Sequence, residues 1–146
     1  MLKILKWSAL VIVVATIALV IFGYLRMDAT NARIADEIRS NPEGELAART
    51  MVVTLADGRQ YPVNYLREGN TVYMGIDGRW WRAFLDGGAP ITMVIQGTTL
   101  TGHATTVLDD PPLKKDVFGR LRANVPNWIP EWADAKLVVI TLDVPN

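Results

Sequence analysis

The stretch from Trp7 to Leu25, WSALVIVVATIALVIFGYL, contains no charged residue. As a helix rising about 1.5 Å per residue it spans roughly 28 Å, close to the hydrocarbon thickness of a bilayer. A chain that carries such a segment has to cover it. A cleaved secretory signal and a helix buried in a core also fit an apolar run behind Lys3 and Lys6. Signal cores, however, run about seven to fifteen residues and end at a small-x-small cleavage site. This run is longer and closes on Gly23-Tyr24-Leu25-Arg26, with Trp7 and Tyr24 at its ends, where amphipathic rings prefer the headgroup zone. The expectation is a single-pass anchor over residues 1–26 with the lipid bilayer as its partner. Lys3 and Lys6 on one side oppose Arg26, Arg33 and Arg39 on the other. The positive-inside rule is therefore nearly balanced, tipping toward a cytoplasmic N-terminus and a domain outside the membrane.

About 120 residues follow, enough for one domain with its own core. The chain holds 15 basic and 15 acidic residues, and two of the basic ones, Lys3 and Lys6, precede the span. The remainder is slightly acidic, so bulk charge offers no nucleic-acid surface. Cysteine is absent and His103 is the single histidine, which excludes disulfide frameworks and metal sites built on cysteine or several histidines. The serines are Ser8 and Ser40, in the span and in the stretch of stalk that follows it, so no Ser-His-acid triad assembles. Neither a dinucleotide-binding G-x-G-x-x-G after a strand nor a P-loop occurs.

Residues 29–40 place Ile34 and Ile38 four apart among charged neighbours. This reads as a short amphipathic helix starting near Thr30 or Asn31, within a juxtamembrane stalk over residues 27–48. From Thr50 the period changes to that of strands. TMVVTL leads into Asp57-Gly58, a hairpin signal, and QYPVNYLR alternates Tyr61, Val63 and Tyr65 against polar neighbours. Pro62 cannot donate to a ladder, which places it at an edge or at a strand's beginning. Glu68-Gly69-Asn70 turns into TVYMGI. Trp81, Phe84 and Leu85 then suggest one or two helical turns, stopped by Gly87 and Gly88. ITMVIQG and LTGHATTVL follow as strands. Asp109-Asp110-Pro111-Pro112 opens a helix with an acidic N-cap and proline in the first turn. Leu113, Val117, Leu121 and Phe118 supply its apolar stripe. After the loop from Trp128 to Trp132, KLVVITLDV is the last strand.

The order is three strands, a short helix, two strands, a helix and one strand. A sandwich of the same strands is possible, but a closed barrel removes exposed edges. The expected fold is mainly β, in the α+β sense: an N-terminal transmembrane helix, then a six-stranded antiparallel barrel with two short helices over residues 49–146.

The densest chemistry lies between Gly75 and Leu85. Arg79 and Arg82 flank Trp80 and Trp81 just after a strand. Guanidinium groups suit phosphate or carboxylate, and indole faces suit a flat conjugated ring. The alternative is that Trp81 and Phe84 are core while the arginines are solvated or pair with Asp77 and Asp86. His103, mid-strand beside Gly102, reads either as a proton donor toward a ligand or as a structurally hydrogen-bonded imidazole.

The succession of segments from GRQYPVNYLREGNTVYMGI through WWRAFLDGGAPITMVIQGTTLTGHATTVL resembles the split β-barrel flavin-binding proteins, the pyridoxamine-phosphate-oxidase-like group. It looks most like their deazaflavin-dependent nitroreductase and quinone reductase branch. Gly58-Arg59 and Pro62 resemble that family's Gly-Arg turn and proline-bearing strand, Trp81 and Leu85 its tryptophan and leucine. Pro90 to Gly97 and Ala104 resemble its later strands. The chain departs from the pattern where Gln60-Tyr61 follows Arg59, in the short Asp77-Gly78-Arg79 loop, and at Phe84, where the family has asparagine. The resemblance implies a split barrel, often dimeric, that binds FMN or the deazaflavin cofactor F420 and passes hydride to a quinone or nitro-type acceptor. It further implies that Arg79 and Arg82 hold the phosphate, Trp80 or Trp81 lines the ring, and Asn64 or Tyr65 contacts its polar edge. A barrel without cofactor, serving as a binding or interaction module of the cell envelope, is the alternative.

Overall fold

The computed structural model describes residues 2–126, 128–130 and 133–143, with side chains from Leu10 onward. The expected headgroup position of the Trp7 ring and the Trp132 end of its loop lie outside the described side chains and residues. Two compact units divide the chain, one up to Ile34 and one from Ala35.

The first unit lies within α1, a helix over Leu2–Ser40. It is long and apolar enough to cross a membrane. Large apolar side chains from Leu10 to Met27 are more than half exposed along it, Leu19 at 70%. No glycine or proline interrupts the backbone between Tyr24 and Ser40, so the expected separate stalk helix is instead the continuation of α1. It stops where Asn41-Pro42 follows, with the Asn41 N–H bonded to the Glu37 carbonyl at 3.0 Å. Its last turns belong to the second unit. There Ala35 and Ile38 are buried, and Arg39 donates to Gln60 Oε1 at 2.7 Å.

A short helix, α2 over Glu45–Arg49, enters the barrel. The strands are β1 Thr50–Thr54, β2 Gln60–Glu68, β3 Thr71–Ile76, β4 Ala89–Ile95, β5 Thr98–Val107 and β6 Lys136–Leu142. A 3-10 helix over Arg79–Phe84 links β3 to β4, and α3 over Pro111–Leu121 links β5 to β6. The strands close in the order β1-β2-β3-β6-β5-β4, every pair antiparallel. The six-stranded antiparallel barrel, its helices and the apolar N-terminal helix are the architecture the sequence pattern implies.

Alternation with a period of two fills the interior. Val72, Met74 and Ile76 on β3, Ile91, Met93 and Ile95 on β4, and Val138, Ile140 and Leu142 on β6 all point into one buried cluster. The turns follow their residues. Leu55 and Arg59 bracket a three-residue loop in which Gly58 takes φ +85° and donates its N–H to the Leu55 carbonyl, a common hairpin length that ends on a left-handed glycine. β2 changes partner partway along, pairing with β1 over Gln60–Asn64 and with β3 over Tyr65–Glu68. Pro62 therefore sits where β2 has a ladder on one side only, and its missing donor costs no hydrogen bond.

Candidate functional site

The segment Arg79–Phe84 closes one end of the barrel. Its 3-10 winding, three residues per turn, places residues i and i+3 above one another. Trp81 and Phe84 thus share one side of it, and Arg79 and Arg82 another. Phe84 is 1% exposed and belongs to the interior cluster, with Trp80 and Trp81 packed against that cluster. Trp80 stacks on Tyr61, centroids 4.6 Å apart and planes 5° apart, and meets Phe84 edge-on at 6.1 Å. The Trp81 carbonyl accepts from Thr106 Oγ1 at 2.8 Å. Phe84 is core, and the partly buried Trp80 and Trp81 pack against it at this end of the barrel.

The two guanidiniums are exposed. Arg82 lies 5.5 Å from the Trp81 ring centroid, a distance at which a cation is attracted to an indole face. Among the described residues neither Arg79 nor Arg82 forms an ion pair with Asp77 or Asp86: Asp77 is taken by Arg122 at 2.7 Å. Asn64 and Tyr65 are neighbours on β2 and so face opposite sides of the sheet. Asn64 is exposed and accepts from Thr50 Oγ1 at 2.8 Å. Tyr65 packs against the interior cluster, and burial pushes its phenol above the ordinary value, partly offset by Arg67. One ligand edge can therefore meet Asn64 or Tyr65, not both. Arg59, in the Gly-Arg turn, is engaged locally. Its Nε donates to Asp57 Oδ2 at 2.8 Å and an Nη to the Tyr61 hydroxyl at 3.3 Å. That side-chain bond holds the Asp57 carboxyl below its usual range.

His103 fastens the loop after the 3-10 helix. Asp86, Gly87 and Gly88 all have positive φ, and His103 Nε2 lies 2.7 Å from the Gly87 carbonyl oxygen. A carbonyl only accepts, so Nε2 carries the proton in this contact. The hydrogen-bonded structural role is the one the geometry supplies.

Sequence patterns did not reveal the polar network of α3. Asp110 caps that helix as expected, accepting from the Leu113 N–H at 3.0 Å. Beyond the cap, Lys114 meets Asp134 at 2.7 Å. Arg122 Nη2 donates to Asp77 Oδ1 at 2.7 Å, while Arg120 reaches Glu68 and Asp116, which raises its pKa, Glu68 contributing most. These partners lie 20 to 52 positions apart or a turn away along the chain, and the only sequence signal was the crowding of Lys114, Lys115, Arg120 and Arg122 on and just after one short helix. No cluster of histidine, aspartate or glutamate suited to a metal exists among the described residues.

No family model matches the chain, and no curated protein does. Among solved structures it is similar to a candidate pyridoxamine 5′-phosphate oxidase of Listeria innocua, at TM-score 0.53 and 14% identity, covering 75% of this chain and 94% of that one. A candidate general stress protein 26 of Jannaschia sp. matches at TM-score 0.49 and 15% identity, over 77% of this chain and 75% of that one. A general stress FMN/FAD binding protein of Xanthomonas citri matches at TM-score 0.46 and 17% identity, over 71% and 84%. The domain after the apolar helix thus shares the split-barrel fold of a pyridoxamine-phosphate-oxidase-like protein.

Proposed function

We propose that this chain is a membrane-anchored split-barrel protein that binds a phosphate-bearing flavin, FMN or a deazaflavin, and serves the reduction of a quinone or nitro-type acceptor. The observation that carries the reading is the pair of exposed guanidiniums, Arg79 and Arg82, on one side of a 3-10 helix at the barrel end. Such a pair fits a phosphate, which guanidinium groups bind with charge-assisted hydrogen bonds. The ring platform is narrower than the sequence implies. One face of Trp80 is taken by Tyr61 and Arg82 lies over the Trp81 ring, so Trp80 or Trp81 offers the ring one face at most, with Tyr65 or Asn64 at the polar edge. When bound, the cofactor supplies the redox chemistry, and the chain binds and orients it. An anchor would keep the barrel beside a lipid-soluble quinone. In this reading two copies of the chain pair as a homodimer.

The full chain, reconstituted in phosphatidylcholine nanodiscs, is to be titrated with FMN and with the deazaflavin by fluorescence. Arg79→Ala and Arg82→Ala are each expected to weaken binding about tenfold, the loss of one charge-assisted hydrogen bond of roughly 1.5 kcal/mol. Absence of binding for either cofactor at high micromolar concentration sinks the oxidoreductase reading. It would leave the cofactor-free module, which the Tyr61–Trp80–Phe84 aromatic plug favours. Anchoring has its own measurement: removing residues 1–26 should move the protein from the membrane fraction to the soluble fraction, and unchanged membrane retention would refute it.

A further inference from the structure

Among the described residues two polar side chains are buried, Thr50 and Thr106. Each spends its hydroxyl on a residue of the candidate site. Thr50 Oγ1 donates to Asn64 Oδ1 and Thr106 Oγ1 to the Trp81 carbonyl, both at 2.8 Å. Thr106 pairs with Val138 across the β5–β6 ladder, and both Val138 and Ala104, two positions earlier on β5, belong to the interior cluster. The Thr106 side chain therefore points into an apolar interior. Valine would have the same branching there and no polar group to satisfy. What the hydroxyl adds is a hold on the backbone of the 3-10 helix.

That hold falls in the middle of a segment whose own hydrogen bonds are weak. A 3-10 helix has poorer hydrogen-bond geometry than an α-helix and persists only in short pieces. Over Arg79–Phe84 no side chain caps the N-terminus, and the Leu85 N–H that closes the other end stands 3.4 Å from the Arg82 carbonyl. Trp80 and Phe84 fasten the segment through their rings, the one stacked on Tyr61 and the other in the cluster. Ring contacts act through side-chain torsions, which can turn while the backbone rolls. The Thr106 bond grips the backbone itself and fixes a direction. A roll that released the Trp81 carbonyl would swing Arg79 and Arg82 with it, because three residues per turn keep those two in line.

We propose that Thr106 is a positioning residue: its bond to the Trp81 carbonyl sets the roll of the 3-10 helix and so aims Arg79 and Arg82 together at one anion. The aim at a flavin phosphate rests on the function proposed above, whereas the hold on the segment stands without it.

Two variants separate the hydroxyl from packing. Thr106→Val keeps the branched shape and loses the donor; Thr106→Ser keeps the donor and loses a methyl group. In the full chain in phosphatidylcholine nanodiscs, amide hydrogen exchange over residues 79–85, read by mass spectrometry, is expected to quicken about tenfold in Thr106→Val. Exchange in β3 and β6 should stay at the wild-type rate, and Thr106→Ser should match wild type throughout the segment. A role in packing alone predicts the reverse order, because serine is the variant that leaves a void. Titration with FMN and with riboflavin, which lacks the phosphate, supplies the second readout. Thr106→Val should weaken FMN about fivefold more than riboflavin, and Thr106→Ser should restore FMN affinity. If wild-type protein binds no FMN, the flavin reading fails and the exchange rates alone decide the hold. Wild-type exchange in Thr106→Val, serine quickening exchange as much as valine, or equal losses of FMN and riboflavin would overturn the proposal.

Discussion

Replacing Phe84 by alanine is expected to lower the stability of the barrel by about 3–5 kcal/mol, the range for deleting a buried aromatic side chain. Phe84 is 1% exposed, the innermost residue of the 3-10 segment, and lies with the interior ends of β3, β4 and β6 in one cluster. Its removal leaves a void that the neighbours cannot fill. Trp80 is held by its stack on Tyr61, and the Trp81 backbone is tied to Thr106. Truncation also forfeits the edge-on contact with Trp80, worth about 0.5–1.5 kcal/mol beyond area in comparable pairs. Denaturant unfolding of the full chain in nanodiscs, followed by tryptophan fluorescence, measures the change. Arg82→Ala, two residues away and exposed, serves as the control and should stay within about 0.5 kcal/mol of wild type. A Phe84→Ala loss below 1 kcal/mol would show that the 3-10 segment does not plug the barrel.

Gly88→Ala is the second large effect, and its cause is backbone rather than burial. Gly88 has φ +86°, and a Cβ there would come 2.3 Å from the Ala104 carbonyl oxygen, with His103 Nε2 and Thr105 Oγ1 both at 2.7 Å. A left-handed conformation costs a non-glycine residue roughly 1–2 kcal/mol. The clash adds to this, because the Ala104 oxygen belongs to β5, within the first pair of the β4–β5 ladder, Ala89 with Ala104, and cannot swing aside. Relief requires moving the loop, which would also break the His103 bond to the Gly87 carbonyl. A loss of more than about 2 kcal/mol is therefore expected. Two variants isolate the terms. Gly87→Ala has φ +99° and open space around its Cβ, so it carries strain without collision. His103→Ala removes only the hydrogen bond, at about 1 kcal/mol. The order Gly88→Ala worst is the expected result, and equal losses for Gly87→Ala and Gly88→Ala would refute the steric argument.

Much of the barrel was legible because a strand's pattern is local. Val72, Met74 and Ile76 alternate in sequence, and they alternate in burial because successive side chains of a strand face opposite ways. Asp57-Gly58 and Glu68-Gly69 marked turns for the same reason, since positive φ has few hosts besides glycine. The candidate site was less legible. Trp81, Phe84 and Leu85 matched α-helical spacing, yet the segment is a 3-10 helix. It is too short for α-helical periodicity to decide, and the barrel end that receives its aromatic side chains is built from strands distant in sequence. Likewise, nothing local joined Arg122 to Asp77, which are 45 positions apart.

The sequence by itself determined the apolar N-terminal helix, the six strands and the turns between them, all of which follow from hydrophobic period and from the conformational needs of glycine and proline. Only the tertiary structure decided which side chains of one motif serve the core and which meet solvent. Closing six strands brought Tyr61 onto Trp80 and left Arg79 and Arg82 exposed. It also set α3 beside β3, where Arg122 meets Asp77 and borders a cavity. Those outcomes depend on non-local pairing, and non-local pairing is set by the closure of the whole sheet rather than by any segment within it.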